Sequence, residues 1–240
     1  TFVSFPEANN FGFYNNYEFF IKNSNTNTNN LPGTKEKTNH YLSGLFQFNS
    51  SLPLVKKTKD YQSILKPKVS LKLSPNNDKN ISSQTDRFDV NNIFNLKRIN
   101  SDNTVEGGIS LTYGNDFNIS NIKNSREILS VKFANNIRLK ENEDLPRINQ
   151  LSAKTSNFFG EISYNPNNFL TTKYNFSTKN NFYDVNYENL EAKLKINNFV
   201  TKFDYLNENN SLEKNSYLLN QTSYEFDEYN NISFSTRHNK

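Results

Sequence analysis

The sequence predicts an all-β protein, in which antiparallel strands form part of a larger transmembrane β-barrel. Apolar and polar residues alternate along many segments, as expected for strands with two unlike faces. Short asparagine-rich turns alternate with longer polar loops, and about ten to twelve strands fit the chain. The longest apolar runs have three residues, which excludes membrane-spanning helices. The mean hydropathy of -0.84 remains compatible with a barrel, whose apolar residues are hidden in alternation.

Residues 65–75 show the alternation most clearly. Apolar residues alternate there with polar ones, so one strand face is apolar and the other carries Lys68 and Lys72. A lysine that faces lipid near the midplane costs roughly 2 to 4 kcal/mol. If this strand spans a bilayer, Lys68 and Lys72 therefore face the lumen.

The same pattern recurs along the second half of the chain. In residues 129–140 the polar face carries Lys132 and Arg138, which we also expect to face the lumen. Later strands are predicted within residues 170–176, 190–196, 199–205 and 232–234. Between Tyr187 and Leu190 the apolar residues change from odd-numbered to even-numbered positions, which predicts a bulge or bend in one long strand.

The connections predict an orientation. Tight turns are expected at residues 165–168, 197–198 and 227–230, because asparagine tolerates the positive φ of such turns. Longer loops are expected at residues 23–39, 74–103, 141–157 and 208–214. Barrels place long loops outside the cell, so residues 74–103 are assigned to the extracellular face or to a loop folded into the mouth. Residues 90–96 could add one or two helical turns, with Ile93, Phe94 and Leu96 as the apolar side.

Residues 86–114 carry a distinctive order of charges and glycines. The positions are Asp86, Arg87, Asp89, Asn92, Phe94 and Arg98 in the loop, followed by Glu106, Gly107, Gly108 and Gly114. This stretch resembles the C-terminal barrel region of the LPS-assembly outer-membrane proteins, the LptD family. Residues 65–75, 129–146 and 152–166 fit the same family, so about half of the chain carries the resemblance.

The resemblance implies a non-catalytic function in the outer membrane of a Gram-negative bacterium. The complete protein would receive lipopolysaccharide and insert it into the outer leaflet. Its partners would be a barrel-plugging lipoprotein of the LptE type and a periplasmic bridge protein of the LptA type, the latter bound through a domain outside these residues. No cofactor, metal or nucleic acid is expected.

Residues 1–240 are accordingly predicted to be a fragment of a single barrel domain with a long motif-bearing loop at residues 74–103. The start of the chain lacks the features of a signal peptide, and the end lacks a terminal aromatic residue, so we expect an internal fragment. There is no cysteine. The disulfide cysteines of the family lie outside the matched region.

Candidate chemical sites are few. His40 and His238 lie among polar neighbours, outside convincing strands, and are expected to be solvated. Glu141, Glu143 and Asp144 could bind a divalent cation, but a charged surface loop explains them better.

The charged motif residues are interpreted as structural. Asp86 and Asp89 could form a salt-bridge network with Arg87 and Arg98 that pins the loop, although these arginines could also meet lipopolysaccharide phosphates. The glycine pair at residues 107–108 is expected to mark a bend or a place where another backbone or loop approaches closely.

Two other protein classes stay open at this stage. A different outer-membrane channel or porin would share the alternation and the loops. A soluble all-β binding module would have to bury its apolar faces against a second sheet. The net charge of +4 is spread along the chain and does not form a nucleic-acid-binding stripe.

Overall fold

The computed structural model describes residues 2–28, 37–75, 80–84, 87–99, 105–209, 214–227 and 229–239. These residues form one antiparallel sheet of thirteen strands. The strands are β1 (Phe2–Ala8), β2 (Tyr14–Thr28), β3 (Lys37–Ser51), β4 (Leu54–Lys57), β5 (Tyr61–Ser74), β6 (Gly108–Asn121), β7 (Glu127–Arg138), β8 (Phe158–Tyr164), β9 (Leu170–Thr178), β10 (Val185–Ile196), β11 (Phe199–Asn209), β12 (Lys214–Glu225) and β13 (Asn231–Asn239).

The topology is an up-and-down meander. Each strand pairs with the next one along the chain, except that β3 pairs with β5, and β4 pairs with the first half of β5. The predicted all-β antiparallel class is confirmed, with thirteen strands in place of about ten to twelve. No described helix is long and apolar enough to cross a membrane.

The interruption between β3 and β4 has a simple cause. Ser51 pairs with Lys68 and Leu54 pairs with Leu65, so both short ladders keep one register against β5. Between them Leu52 donates its N–H to the carbonyl of Pro67 at 3.1 Å. Pro67 has no N–H to donate back to Leu52. Pro53, the residue after Leu52, also lacks an N–H, so the ladder is interrupted at this point.

The sheet has one polar and one apolar face. We call the face that carries Lys68 and Lys72 the polar face, and the opposite one the apolar face. On β6, Ser110 and Thr112 of the polar face are each 2% exposed, whereas Ile109 and Leu111 of the apolar face are 42% and 39% exposed. This burial is the reverse of a water-soluble sheet, because the long loops cover the polar face and nothing described covers the apolar one.

The hydrophobic core lies between the long loops and the polar face. Two loops contribute to it, residues 75–107 between β5 and β6 and residues 139–157 between β7 and β8. Its buried members are Ile81, Phe88, Val90, Ile93, Ile99, Ala134, Leu145, Leu151 and Phe159. The loops therefore form part of the folded domain.

The predicted alternation of turns and loops is observed. The tight connections at residues 165–169, 197–198 and 226–230 lie at one end of the sheet, and residues 75–107 and 139–157 leave from the other end. Asn197 has a φ of 51°, as its turn position requires. One loop was predicted too long at both ends: β2 continues to Thr28 and β3 begins at Lys37, so much of the loop expected at residues 23–39 is strand.

The bulge or bend expected between Tyr187 and Leu190 is absent, because β10 pairs without interruption there with both neighbouring strands. The register against β9 shifts between Val185 and Tyr187, before the segment where the parity was thought to change. Tyr187 pairs with Ser177 and Glu208 and points to the polar face, so the parity beyond it does not change. An aromatic residue on the polar face produced the misleading pattern.

A candidate functional site formed by a strap across the polar face

A segment of the long loop crosses the polar face as a strap, which we define as residues 87–99. Its first anchor is Arg87, whose Nη2 lies 2.6 Å from Glu208 Oε2 of β11. The Arg87 guanidinium also lies 4.3 Å from the ring centroid of Tyr187 on β10. The strap therefore begins over the later strands of the sheet.

The middle of the strap lies over β7 and β8. Lys132 Nζ donates to Asn91 Oδ1 at 3.2 Å and to Glu161 Oε1 at 2.8 Å. Lys173 of β9 lies 3.1 Å from the other oxygen of Glu161. The side chain of Asn91 is thus linked through Lys132 to Glu161, whose carboxylate bridges Lys132 of β7 and Lys173 of β9.

The strap then reaches the first half of the sheet. Lys68 Nζ of β5 lies 4.4 Å from the ring centroid of Phe94, and Gln47 of β3 donates to the Phe94 carbonyl at 2.6 Å. Lys97 Nζ lies 3.8 Å from the ring centroid of Phe20 on β2. Thirteen residues of one loop consequently contact strands from β11 to β2.

Two motif residues shape the strap locally. Asp89 Oδ1 accepts hydrogen bonds from the N–H groups of Asn91 at 2.7 Å and Asn92 at 2.9 Å. Asn92 in turn donates to the carbonyl of Arg87 at 2.9 Å. A helical hydrogen bond follows, from Ile93 N–H to the Asp89 carbonyl at 3.1 Å. The predicted helical turn is present, and its buried side includes Ile93 and Leu96.

The end of the loop is held by a buried ionic cluster around Glu106. Arg98 Nε lies 2.7 Å from Glu106 Oε2, and its Nη2 contacts Oε1, which makes a bidentate pair. Arg138 Nη1 of β7 lies 2.7 Å from Oε1, and Lys72 Nζ of β5 lies 3.3 Å from Oε2. We call these four residues the Glu106 cluster.

The remaining donors of the Glu106 cluster bind loop and strand oxygens. Lys72 Nζ donates to the carbonyls of Asn95 at 3.0 Å and Leu96 at 3.1 Å. Arg98 Nη1 donates to Thr112 Oγ1 of β6 at 3.0 Å. Arg138 Nη2 donates to the carbonyl of Gly107. The buried cations are thereby used to fix the loop backbone on the sheet.

The charges of the cluster are unequal, because one carboxylate faces three cations. Burial opposes ionisation of Glu106, but Arg98, Lys72 and Arg138 outweigh that effect and hold the pKa of its carboxyl well below the usual range. Removing this carboxylate would leave the cations buried without their counter-charge.

Gly108 of the glycine pair is needed where the loop enters β6. Gly108 has a φ of 92°, which favours glycine, and a β-carbon there would lie 2.9 Å from Arg138 Nη2. The loop and β7 therefore approach closely at this point.

The structure brings most of the motif together and separates a few candidates. Asp86 lies outside the described residues. Within the described part of the chain, Asp89 pairs with neither Arg87 nor Arg98, which bind Glu208 and Glu106 instead. The expected network thus exists with different carboxylates.

The other candidate sites do not gather chemical groups. His40 and His238 lie within β3 and β13, so their expected position outside strands was wrong, and both are exposed. Glu141 and Glu143 are exposed loop residues. In the part of the chain that the structure describes, no three His, Cys, Asp or Glu residues form a possible metal site.

Several residues of the site were not predicted from the sequence. Glu208, Glu161 and Tyr187 anchor the strap, yet they lie in strands far from the motif along the chain. In the sequence each is a carboxylate or aromatic residue at a position that faces the polar side of its strand. The position shows which face of the sheet the side chain occupies, but not which strap residue it contacts.

This combination defines a class of protein. A single antiparallel meander has an apolar exposed face, a polar face covered by loops, and long loops at one end, which are the features of an outer-membrane β-barrel wall. The profile of the LptD family, described as LPS transport system D, matches residues 12–239.

The chain belongs to the LptD family, as its motif residues indicated. Members of this family are outer-membrane proteins of Gram-negative bacteria that act in lipopolysaccharide transport and assembly and are not enzymes. A search of the curated proteins finds no match.

Proposed function

We propose that this chain is part of the outer-membrane translocon that receives lipopolysaccharide and inserts it into the outer leaflet. The family match over residues 12–239 carries the proposal. The two faces of the sheet support it, because apolar exposed residues suit lipid and buried polar residues suit a lumen. Lys68, Lys72, Lys132 and Arg138 would then face the lumen, as their contacts with the strap and the loop end favour.

The strap would close the lumen from the extracellular side. Residues 1–240 would form a fragment of one barrel domain, and the loop at residues 74–103 would fold inward. The motif positions Asp89, Asn92, Phe94, Arg98 and Glu106 would be structural, since each shapes the strap or fixes it to the wall. A charged saccharide would therefore pass beside a fixed strap.

A barrel-plugging lipoprotein of the LptE type would occupy another part of the lumen. A recess of about 420 Å³ lies on the polar face of β9–β12, away from the strap, and includes Glu191, Lys202 and Asp204. Such mixed charges suit a polar protein surface. A periplasmic bridge protein of the LptA type would bind through another part of the complete protein.

Depletion and complementation in the source bacterium test the proposed function. Depletion should reduce newly made lipopolysaccharide accessible to a label on intact cells, and a wild-type copy should restore it. The chain should fractionate with the outer membrane. Normal surface lipopolysaccharide together with reduced uptake of small solutes would overturn the proposal and favour a channel instead.

A further inference from the structure

A short stretch of strand edge is open at the short-turn end of the sheet. β3 and β4 form one line against β5, because both pair with it in the same register. On the other side of this line, β2 begins only at Tyr14, which pairs with Ser51 at the end of β3. β4 therefore continues past the end of β2 and, within the described chain, pairs with β5 alone.

The hairpin of β4 and β5 extends beyond the neighbouring hairpin of β1 and β2. Tyr14 of β2 is level with Lys68 of β5, and β5 continues past that level to Tyr61. The β1–β2 turn ends against Leu52, whose Cδ1 would lie 3.6 Å from a β-carbon at Gly12. Short turns of outer-membrane barrels face the periplasm, so a periplasmic protein can reach the edge of β4.

Two residues of β4 direct their backbone groups to the open side. Leu52 and Thr58, which flank β4, donate their N–H groups to carbonyls of the β5 strand at 3.1 and 2.8 Å. Backbone groups alternate in direction along a strand, so the odd-numbered residues Val55 and Lys57 face away from β5. Among the described residues, neither has a backbone hydrogen bond on that side. An extended peptide can bind such an edge by adding a strand.

The open edge carries two consecutive cations. Lys56 and Lys57 are both exposed, and their cross-strand neighbours on β5 are uncharged. Neither lysine forms an ion pair with any residue that the structure describes. Asp60 in the adjacent turn pairs with Lys123 at 3.0 Å instead. The edge therefore attracts carboxylates.

Each face of β4 presents one lysine and one apolar residue. Val55 and Lys57 lie on the polar face, and Leu54 and Lys56 lie on the apolar face. The apolar pair is half exposed, at 53% for Val55 and 49% for Leu54. An added strand would match this edge with two consecutive acidic residues beside two consecutive apolar ones. A second copy of β4 would not fit, because lysines would meet lysines and Pro53 has no N–H to donate.

We propose that the open edge of β4 binds an acidic, extended segment of a periplasmic protein as an added strand. Val55 and Lys57 supply the main-chain hydrogen bonds, and the side chains of Lys56 and Lys57 select carboxylates. Anionic lipid headgroups would neutralise the lysines but would form no ladder with the backbone of β4. The inference goes beyond the proposed function, because it concerns a protein partner and does not depend on lipopolysaccharide.

The test uses the full chain folded in detergent and a fluorescent, strand-forming peptide that carries two glutamates beside two valines. Fluorescence polarisation should show tighter binding of this peptide than of a version with lysines in place of the glutamates. Lys56→Glu combined with Lys57→Glu should weaken binding of the acidic peptide about tenfold and allow the lysine version to bind. Lys140→Glu is the matched control, because Lys140 is an exposed lysine at the other end of the sheet.

Proline substitutions separate strand addition from charge attraction. Val55→Pro removes an N–H from the open side and keeps the hydrogen bonds to β5, so the hairpin should stay folded while binding falls. An acidic peptide with a central proline should bind weakly for the same reason. Equal binding of that peptide, or unchanged binding by Val55→Pro, would overturn strand addition.

Two further outcomes would contradict the proposed partner. Unchanged affinity after the double lysine substitution would place any peptide binding elsewhere on the chain. Loss of binding when the chain is moved from zwitterionic to anionic lipid vesicles would assign Lys56 and Lys57 to lipid headgroups.

Discussion

Phe94 of the strap packs against Gly114 of β6, where the backbone leaves no room for a larger residue. A β-carbon at Gly114 would lie 3.0 Å from Phe94 Cζ and would collide with the carbonyl oxygen of Phe133 on β7. Phe94 can therefore approach the sheet closely, and Lys68 covers its ring from β5. This one contact explains two motif positions, one in the loop and one in β6.

Substitution of Gly114 tests this packing. Gly114→Ala should force β6 from β7 or displace Phe94, and overpacking of this kind costs about 1 to 3 kcal/mol. We expect a lower yield of heat-modifiable folded protein and faster proteolysis within the strap. Gly44→Ala on β3 is the matched control, because a β-carbon at Gly44 meets nothing within 4 Å. Equal behaviour of both variants would contradict the assigned contact.

Removal of the central carboxylate tests the Glu106 cluster. Glu106→Gln should leave three buried cations unpaired and lower the unfolding free energy by about 3 to 5 kcal/mol, measured by urea titration in detergent. Glu225→Gln is the control, because its pair with Lys195 is half exposed and solvent screens such a pair, so its loss should change stability far less. Adding Lys72→Met to Glu106→Gln should restore part of the loss, and no recovery would argue against excess charge as the cause.

The loss of folding stability at acidic pH should depend on Glu106. Its folded pKa is held below the ordinary value of 4.5, so its contribution is complete above that value and is lost as the pH falls through the lowered pKa. The unfolding free energy of the wild type should therefore decline on acidification below about pH 4.5. Glu106→Gln should lack this part of the decline when both are titrated from neutral pH. Parallel pH profiles would show that Glu106 is not the responsible group.

The far anchor of the strap can be tested by exchanging charges. Arg87→Glu should repel Glu208 and release this end, so that proteolysis of the strap becomes faster while the sheet stays folded. The double variant Arg87→Glu with Glu208→Arg should restore protection, because the pair is reformed with opposite polarity. Failure of the exchange to restore protection would mean that the ring of Tyr187, not the ion pair, holds Arg87.

The strands were predictable from the sequence because period-two alternation is a local property. The pattern expected in residues 129–140 corresponds to β7, and the tight turn at residues 197–198 lies where expected. Polar strand ends were harder to predict: residues 23–28 extend β2 without any apolar side chain, so no alternation marks them. Tyr187 led to the wrong prediction of a bulge, because the sequence does not show whether an aromatic side chain faces lipid or a loop.

The site was predictable only in its motif residues. Lys72 and Glu106 are separated by 34 residues, and Arg87 and Glu208 by 121, so their pairing depends on the folded sheet. The buried loop residues, such as Ile93 and Leu151, follow no strand period. A motif can therefore identify a loop without showing which carboxylates hold it.

The assignment of the two faces leads to a final prediction at adjacent residues of β10. Leu190 lies 41% exposed on the apolar face, and Glu191 lies on the polar face. If the apolar face meets lipid, Leu190→Lys should cost roughly 2 to 4 kcal/mol near the midplane, whereas Glu191→Lys should cost much less. Folding of both variants into lipid vesicles, followed by heat-modifiable mobility and urea titration, measures the difference. A water-soluble sheet would tolerate a lysine at exposed Leu190, so equal stability of the two variants would rule out a lipid-facing wall.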